Sequence, residues 1–242
     1  MSGKVVEAFV AKADLLAASP AYSDQSGVDW KTAAASAAKV LNHIGGVDGM
    51  DPTGWTWYCN VDDIEKLSPT ESPAEILWRG ERAKSLSLEE DNFPPTLYGN
   101  GRINPTQNLV DAFPMLNGYP VSHLSGEYDE NLPYANRDPR LEAYILYNGC
   151  KAGNTNKEIF TAADGTTNDA LNKVVGRSTR TGYYLRKLLR QDISLDPNAK
   201  ADQYHYTPRI RYTEIFLAYA EAANQRTVRK IKEATAILLM MW

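Results

Sequence analysis

The chain has 242 residues, of which 43% are hydrophobic and 23% are charged, and its formal net charge is −4. This length is enough for one sizeable domain with a buried core. The 26 basic and 30 acidic side chains lack the strongly basic balance of nucleic-acid-binding proteins, and they supply no polybasic segment for a membrane surface. No run approaches the roughly 20 apolar residues that a membrane span needs.

Two helices are predicted at the start of the chain. Residues 4–18 place apolar side chains along one face at helical spacing. A second, alanine-rich helix is predicted from about Trp30 to His43, with Asp29 as its N-cap. Two helices joined by a turn are the unit of a helical array, and a further helix must cover their apolar face. The apolar face expected of the first helix is Val5, Val6, Phe9, Val10, Ala13, Leu16 and Ala17.

Residues 46–207 are predicted to be a long, loop-rich insertion between helical segments. Short strands are predicted in "GWTWYCNV" and "EAYILYNG", and short helices at 73–78 and 106–113. Long ordered loops in compact folds tend to carry function, so we expect ligand contacts in this insertion.

The last strong element is a buried helix predicted over residues 209–225. In it, Arg211 is expected to reach Glu214 one turn further on. The chain then ends in the apolar run 237–242, which suggests a sequence that has been shortened. Because broken helical arrays expose apolar faces, an oligomeric or poorly behaved protein is expected.

Residue types that carry chemistry are few and scattered. Cys59 and Cys150 lie far apart without C-x-x-C spacing, so they predict no zinc site and leave open whether they pair. His43, His123 and His205 are expected to be structural. The acidic runs "VDDIEKL" and "LEEDNF" are expected to be solvated surface and not the facing carboxylates of a glycan-cleaving enzyme. The sequence therefore predicts no catalytic residue, no metal and no cofactor.

Several segments, in matching order and spacing, resemble the SusD/RagB family of outer-membrane nutrient-binding lipoproteins over about residues 5–225. They are "KADLLAASPAYS" with "WKTAAASAAKVLN", then "SPAEILWRG", "NPTQNLVDAFPMLNGYPV", "NRDPRLEAYILYNG", "TRTGYYLRKLL" and "PRIRYTEIFLAYAEAAN". The family's export signal and lipid-bearing cysteine are not found at the start of this sequence.

The resemblance implies a mainly α fold of TPR-like helical repeats, a SusD-like α–α superhelix, with a long loop-rich insertion that contains short strands. The chain would be a single domain, truncated at both ends. Its parts would be a helical-repeat pair at 1–45, the insertion at 46–207 and a helical-repeat remnant at 208–242.

The function that the resemblance implies is capture without catalysis. Family members hold oligosaccharides, or in some cases peptides, at the bacterial cell surface and deliver them to a SusC-like TonB-dependent transporter. Two other interpretations stay open, namely a helical-repeat scaffold that binds only protein and, less favoured, an enzyme that acts on glycans.

The central segment "NPTQNLVDAFPMLNGYPV" would be scaffold in such a protein. Asn104 is expected to cap its short helix, and Pro105 suits the first turn. Asp111 is expected to bind backbone N–H groups or an arginine, with no acid–base role.

Candidate ligand contacts lie in loops near this segment. Trp55 and Trp57 are two residues apart, so they share a face if the chain is extended there, and that face is either solvent or core. Tyr98, Asn100 and Arg102 lie in the Pro/Gly-framed stretch "NFPPTLYGNGR". Aromatic planes with polar side chains at the rim suit the stacking and hydrogen bonding of sugar rings.

Overall fold

The computed structural model describes residues 2–54, 67–68 and 70–240, and side chains as far as residue 228. It is helix-rich with some short strands. The helices are α1 (Gly3–Ala18), α2 (Ser23–Ser26), α3 (Trp30–Leu41), α4 (Ser87–Asn92), α5 (Gln107–Ala112), α6 (Pro139–Tyr144) and α7 (Tyr212–Met240). The strands are β1 (Ile76–Ser85), β2 (Ile145–Leu146), β3 (Lys151–Ala152), β4 (Lys157–Glu158), β5 (Tyr184–Leu185) and β6 (Gln203–Arg211).

The chain divides into two compact units. Unit one contains the described parts of 1–57, 67–81 and 206–242, and unit two contains residues 82–205. None of the described helices is long and apolar enough to cross a membrane. The side chains of the terminal apolar run, and nearly all of "GWTWYCNV", lie outside the described residues.

In unit one, α1 and α7 both pack against α3 through small side chains. Ala8, Ala11 and Ala37 are at most 1% exposed and share a core cluster with Ile215. Alanine at these positions lets the helices approach closely. The two clusters between these helices are Ala8, Ala11, Ala37, Val40, Leu41, Ile210, Tyr212 and Ile215, and Ala18, Ala33, Ala34 and Ala222.

The apolar face predicted for α1 is only partly correct. Val5 is buried, but Val6, Val10 and Leu16 are 48–60% exposed. The alanine-bearing face packs inward because it allows the closer helix approach, so the larger side chains lie on the flank. Phe9 is 44% exposed and meets Trp78 edge-to-face, with 5.3 Å between ring centroids.

The start predicted for α3 is confirmed. Asp29 Oδ1 accepts hydrogen bonds from the backbone N–H and the hydroxyl of Thr32, at 2.8 and 2.7 Å. The same bonds hold the pKa of Asp29 below its usual value. The helix ends at Leu41, two residues earlier than predicted, and a 3-10 turn follows at Asn42–Ile44.

The long C-terminal helix begins later than predicted, because residues 209–211 belong to β6. Arg211 and Glu214 therefore do not pair as expected. Arg211 Nε lies 3.4 Å from Oε1 of the buried Glu75, and Glu214 instead meets Lys12 Nζ at 2.5 Å. The change from strand to helix at Tyr212 gives the two side chains different partners.

The helix predicted at 73–78 is wrong, since β1 begins at Ile76 and pairs with β6. The two strands run antiparallel: Arg79 lies over Tyr206, and Lys84, further along β1, reaches the earlier residue Asp202. The backbone N–H of Tyr212 donates to the Glu75 carbonyl at 3.0 Å. This long-range pairing overrides a local pattern that is too short to specify a helix.

The strand predicted in "EAYILYNG" is also mostly wrong, because its first residues form the end of α6. Only Ile145 and Leu146 are extended, and they pair antiparallel with Leu185 and Tyr184. Asp138 Oδ1 accepts the Arg140 N–H at 2.9 Å and so caps the helix that displaces the strand.

Candidate functional site

The loop Tyr98–Arg102, called here the 98–102 loop, is fixed to the helix that precedes it. Three of its backbone N–H groups donate to carbonyl oxygens at the end of α4 and just beyond it. The pairs are Asn100 to Glu90 at 2.9 Å, Gly101 to Phe93 at 3.0 Å and Arg102 to Asp91 at 3.0 Å. The last carbonyl groups of a helix lack partners within it. These bonds therefore supply the missing partners and at the same time hold the loop in place.

A second set of contacts holds the middle of the 98–102 loop. Gly101 has a φ of +54°, and a Cβ there would lie 2.2 Å from the carbonyl oxygen of Arg177 and 2.7 Å from the ring of Tyr184. Only glycine fits this combination of conformation and close approach. Arg177 also donates to the Gly99 carbonyl at 2.8 Å. The loop is therefore tied from both sides.

A buried carboxylate fixes the turn in front of Tyr98. Asp169 is 0% exposed and accepts from the backbone N–H of Thr96 at 2.8 Å and from the hydroxyl of the same residue. Burial raises the pKa of Asp169 above its usual value. The Tyr184 hydroxyl in turn donates to the Asp169 carbonyl at 2.9 Å. Asp169 is not among the residues predicted to be functional, because no local pattern in the sequence marks it.

A second buried carboxylate supports α4 itself. Glu89 is 0% exposed, and its Oε1 accepts the Arg190 N–H at 2.8 Å. The expectation that "LEEDNF" is solvated surface is therefore wrong for Glu89, although Glu90 and Asp91 are each 45% exposed. Leu88, directly before the acids, and Phe93, shortly after them, both pack in the core. In so short a helix, this arrangement places one of the acids on the buried side. The other predicted acidic run, "VDDIEKL", lies outside the described residues.

Tyr98 stands at the edge of a cavity of about 260 Å³, here called the first cavity. Its side chain is 53% exposed, and its backbone has the left-handed φ of 65° after a 3-10 turn at Pro95–Leu97. Asn154, Lys157 and Asp196 line the cavity beside Tyr98, above an apolar floor that includes Phe93. An exposed ring next to mixed polar groups is a surface on which a small polar ligand can stack.

Arg102 lies at the other end of the loop and lines a different depression of about 400 Å³, here called the second cavity. Arg180 and Thr181 also line it. Asn100, between the two ends, is half-buried and lines neither cavity. Two of the three predicted loop residues thus reach cavities, and the third contributes its backbone. Trp55 and Trp57 lie outside the described residues.

The short helix predicted at 106–113 is confirmed as α5, but its expected details are wrong. Thr106 is the N-cap and accepts the Leu109 N–H at 3.3 Å. Asn104 instead donates to the Gly101 carbonyl at 2.9 Å and accepts the Arg180 N–H at 3.1 Å. It therefore braces the 98–102 loop, because the chain around Pro105 is still outside the helix.

Within the described residues, Asp111 binds neither a backbone N–H group nor an arginine, contrary to the prediction. Its Oδ1 accepts from the side chain of Gln107, one turn earlier, at 2.8 Å. Over the part of the chain that the structure describes, no three His, Cys, Asp or Glu side chains are grouped so as to hold a metal ion.

Comparison with known proteins agrees with this fold. The sequence profile of the SusD family matches residues 77–237. The structure is similar to that of a SusD-like carbohydrate binding protein from Bacteroides fragilis, with a TM-score of 0.64 and 21% identity over 90% of this chain and 39% of that one. For a SusD-like protein from the same organism the TM-score is 0.64 and the identity 23%, over 93% of this chain and 44% of that one.

This chain thus spans about two fifths of the length of the solved structures that it resembles. No functionally curated protein matches the sequence significantly. The family profile covers well over half of the chain, and the structural similarity extends over nine tenths of it. The resemblance found in the sequence is confirmed, and the chain belongs to the SusD family.

Proposed function

We propose that this chain captures oligosaccharides without changing them chemically, and that the 98–102 loop forms part of the contact surface. The observation that carries the proposal is the exposed ring of Tyr98 beside the first cavity, on a backbone fixed by hydrogen bonds. A fixed backbone reduces the conformational freedom that the loop loses on binding, so more of the stacking energy appears as affinity. Trp55 and Trp57 stay predicted contacts of the same kind.

Family membership supports this proposal. One of the two Bacteroides fragilis proteins of similar fold is described as a carbohydrate binding protein. In such a role, Asn154, Lys157 and Asp196 of the first cavity would pair with sugar hydroxyls while Tyr98 stacks on a ring face. The carboxylates Glu89 and Asp169 are buried and engaged in structural hydrogen bonds, which suits binding better than catalysis.

The cellular setting is part of the same proposal. The captured oligosaccharide would pass to a SusC-like TonB-dependent transporter, with the protein located at the surface of the outer membrane as a lipoprotein. In this arrangement α1, α3 and α7 would belong to a TPR-like superhelix. Residues 1–45, 46–207 and 208–242 would be its repeat pair, insertion and repeat remnant.

A second candidate function is a scaffold that binds protein or peptide. The observation that favours it is the exposed flank of α1, where Val6, Val10 and Leu16 are 48–60% exposed. Apolar side chains grouped on one helix flank are typical of protein contacts. This flank lies in unit one, whereas the 98–102 loop lies in unit two, so the two functions can be tested by separate substitutions.

The proposal is tested by calorimetric titration of the protein with a panel of neutral and acidic oligosaccharides. We expect at least one ligand to bind, and Tyr98→Ala to weaken it about tenfold. Tyr119→Ala is the matched control, because Tyr119 is 45% exposed in the same unit but lines neither cavity. Unchanged affinity in Tyr98→Ala would refute the role of the loop. Binding of peptides and of no oligosaccharide would favour the second candidate.

A further inference from the structure

The residues that line the second cavity carry positive charge and no negative charge. The cavity is lined by Gly101, Arg102, Asn104, Gly176, Ser178, Arg180 and Thr181. Two of these residues are arginines, and none of the lining residues, all of them described, is acidic. The first cavity differs, since both Lys157 and Asp196 line it. A polar depression with two positive charges at its wall attracts anions.

Some polar groups of the second cavity are already engaged in the fold. The Asn104 side chain bonds to the backbones of Gly101 and Arg180. The Ser178 hydroxyl donates to the Asn168 carbonyl at 2.5 Å and accepts the Val174 N–H at 2.7 Å. These bonds shape the cavity and leave the two arginine side chains as its main donors.

The two arginines retain donor capacity for a ligand. Arg102 makes one weak ion pair, with its Nη2 3.3 Å from Asp91 Oδ1 and its side chain 64% exposed. Across the described part of the chain, no carboxylate pairs with the exposed side chain of Arg180. A guanidinium offers five N–H donors in a planar fork, which matches a carboxylate or a sulfate oxygen pair.

We infer that the second cavity binds a negatively charged group, a carboxylate or a sulfate ester, of an acidic oligosaccharide whose neighbouring ring stacks on Tyr98. The inference rests on the proposed function and names its substrate class. Tyr98 and Arg102 are four residues apart, so their Cα atoms lie at most ~14 Å from each other. This separation is within the length of a short oligosaccharide.

The test compares each acidic oligosaccharide with a neutral partner that has the same rings. The probes are galacturonate, glucuronate and mannuronate oligomers beside their carboxyl-reduced forms, and a sulfated oligosaccharide beside its desulfated form. We expect the wild-type protein to bind at least one acidic form about tenfold more tightly than its neutral partner. The preference should shrink at high salt, since exposed charges are screened.

Variants then locate the source of this preference. Arg180→Gln and Arg102→Gln should each reduce this preference several-fold, because each removes one positive charge from the lining of the second cavity. Arg180→Lys, which keeps the charge but not the fork, should retain part of it. Lys173→Gln is the matched control, because Lys173 is exposed in the same unit and does not line the cavity. A thermal melt checks that each variant is folded.

The outcomes separate the inference from the proposed function. Equal affinity for acidic and neutral forms, with both weakened by Tyr98→Ala, would overturn the inference and leave oligosaccharide capture standing. An acidic preference that survives both glutamine variants would also overturn the inference. Failure of the wild-type protein to bind any probe would overturn the two together. Which acidic probe is preferred distinguishes a carboxylate ligand from a sulfate ligand.

Discussion

The imidazole of His205 contacts the buried carboxyl group of Glu89. His205 Nε2 lies 3.0 Å from Glu89 Oε1, and its Nδ1 lies 3.2 Å from the carbonyl oxygen of Gln203. The pair compensates the burial of Glu89, whose side chain is 0% exposed.

We predict that His205→Ala lowers the free energy of unfolding by about 1–3 kcal/mol, because it removes one of the two contacts made by Oε1 of the buried Glu89, the other being the Arg190 N–H. Urea denaturation measures this value, and a double-mutant cycle with Glu89→Gln should give a coupling of about 1–3 kcal/mol. Glu90→Gln is the control on the same helix. Glu90 is 45% exposed in a surface pair with Lys200, so its loss should change stability by less than about 0.5 kcal/mol. Equal effects at the two acids would contradict the pairing.

The stability contribution of Asp169 should depend on pH. Burial raises its pKa above the ordinary value of 3.8, so the folded protein holds the proton more tightly than the unfolded chain. Its contribution is full below pH 3.8 and is lost as pH rises through the folded-state pKa. The Asp169→Asn variant does not lose stability in this way, because asparagine has no proton to release.

The free energy of unfolding of Asp169→Asn minus that of the wild type should therefore increase as pH rises above 3.8. Urea titrations at several pH values measure the difference. A difference that stays constant, or falls as pH rises, would show that the pKa is not raised.

Gly101→Ala should destabilise the 98–102 loop strongly. A methyl group at this position meets the Arg177 carbonyl and the Tyr184 ring in addition to an unfavourable φ. We expect a loss of about 3 kcal/mol or more in unfolding free energy. Gly176→Ala is the control, because it has a φ of +76° but nothing within 4 Å of the added Cβ, and should cost about 1 kcal/mol. Similar losses for both variants would mean that backbone conformation alone requires glycine.

Ala11→Leu tests the close packing of α1 in unit one. Ala11 is 0% exposed, so a larger side chain has no space, and we predict a loss of about 1–3 kcal/mol in unfolding free energy. Ala13→Leu lies on the exposed face of the same helix and should stay within about 0.5 kcal/mol of wild type. Thermal and urea melts of both variants make the comparison. A tolerated Ala11→Leu would contradict alanine-mediated contact.

The sequence predicted correctly those features that depend on contacts between neighbouring residues. Asp29 caps α3 because the residues that follow it complete the cap within one turn. The helix at 106–113 was found because its turn residues delimit it. The family was identified from segments spread over the chain. Both helix features depend on residues that are close in sequence, and each family segment is itself a short contiguous run.

The failures concern partners that are distant in sequence. Residues 73–78 are not helical because β6, more than a hundred residues later, pairs with β1. Arg211 pairs with Glu75 and not with Glu214. Asn104 accepts the Arg180 N–H and does not cap the short helix. The donors that bind the buried carboxyl groups of Glu89 and Asp169 are likewise remote in sequence. A single sequence carries no local signal for such contacts.

The pairing of β1 with β6 bears on how this family can diversify. The chain leaves unit one along β1, forms residues 82–205, and returns along the strand next to the one by which it left. The entropy of closing such an excursion grows only with the logarithm of its length. Insertions and deletions within residues 82–205 should therefore change the stability of the helices little. Evolution can remodel the loops that we propose as ligand contacts while the alanine-packed helices stay the same.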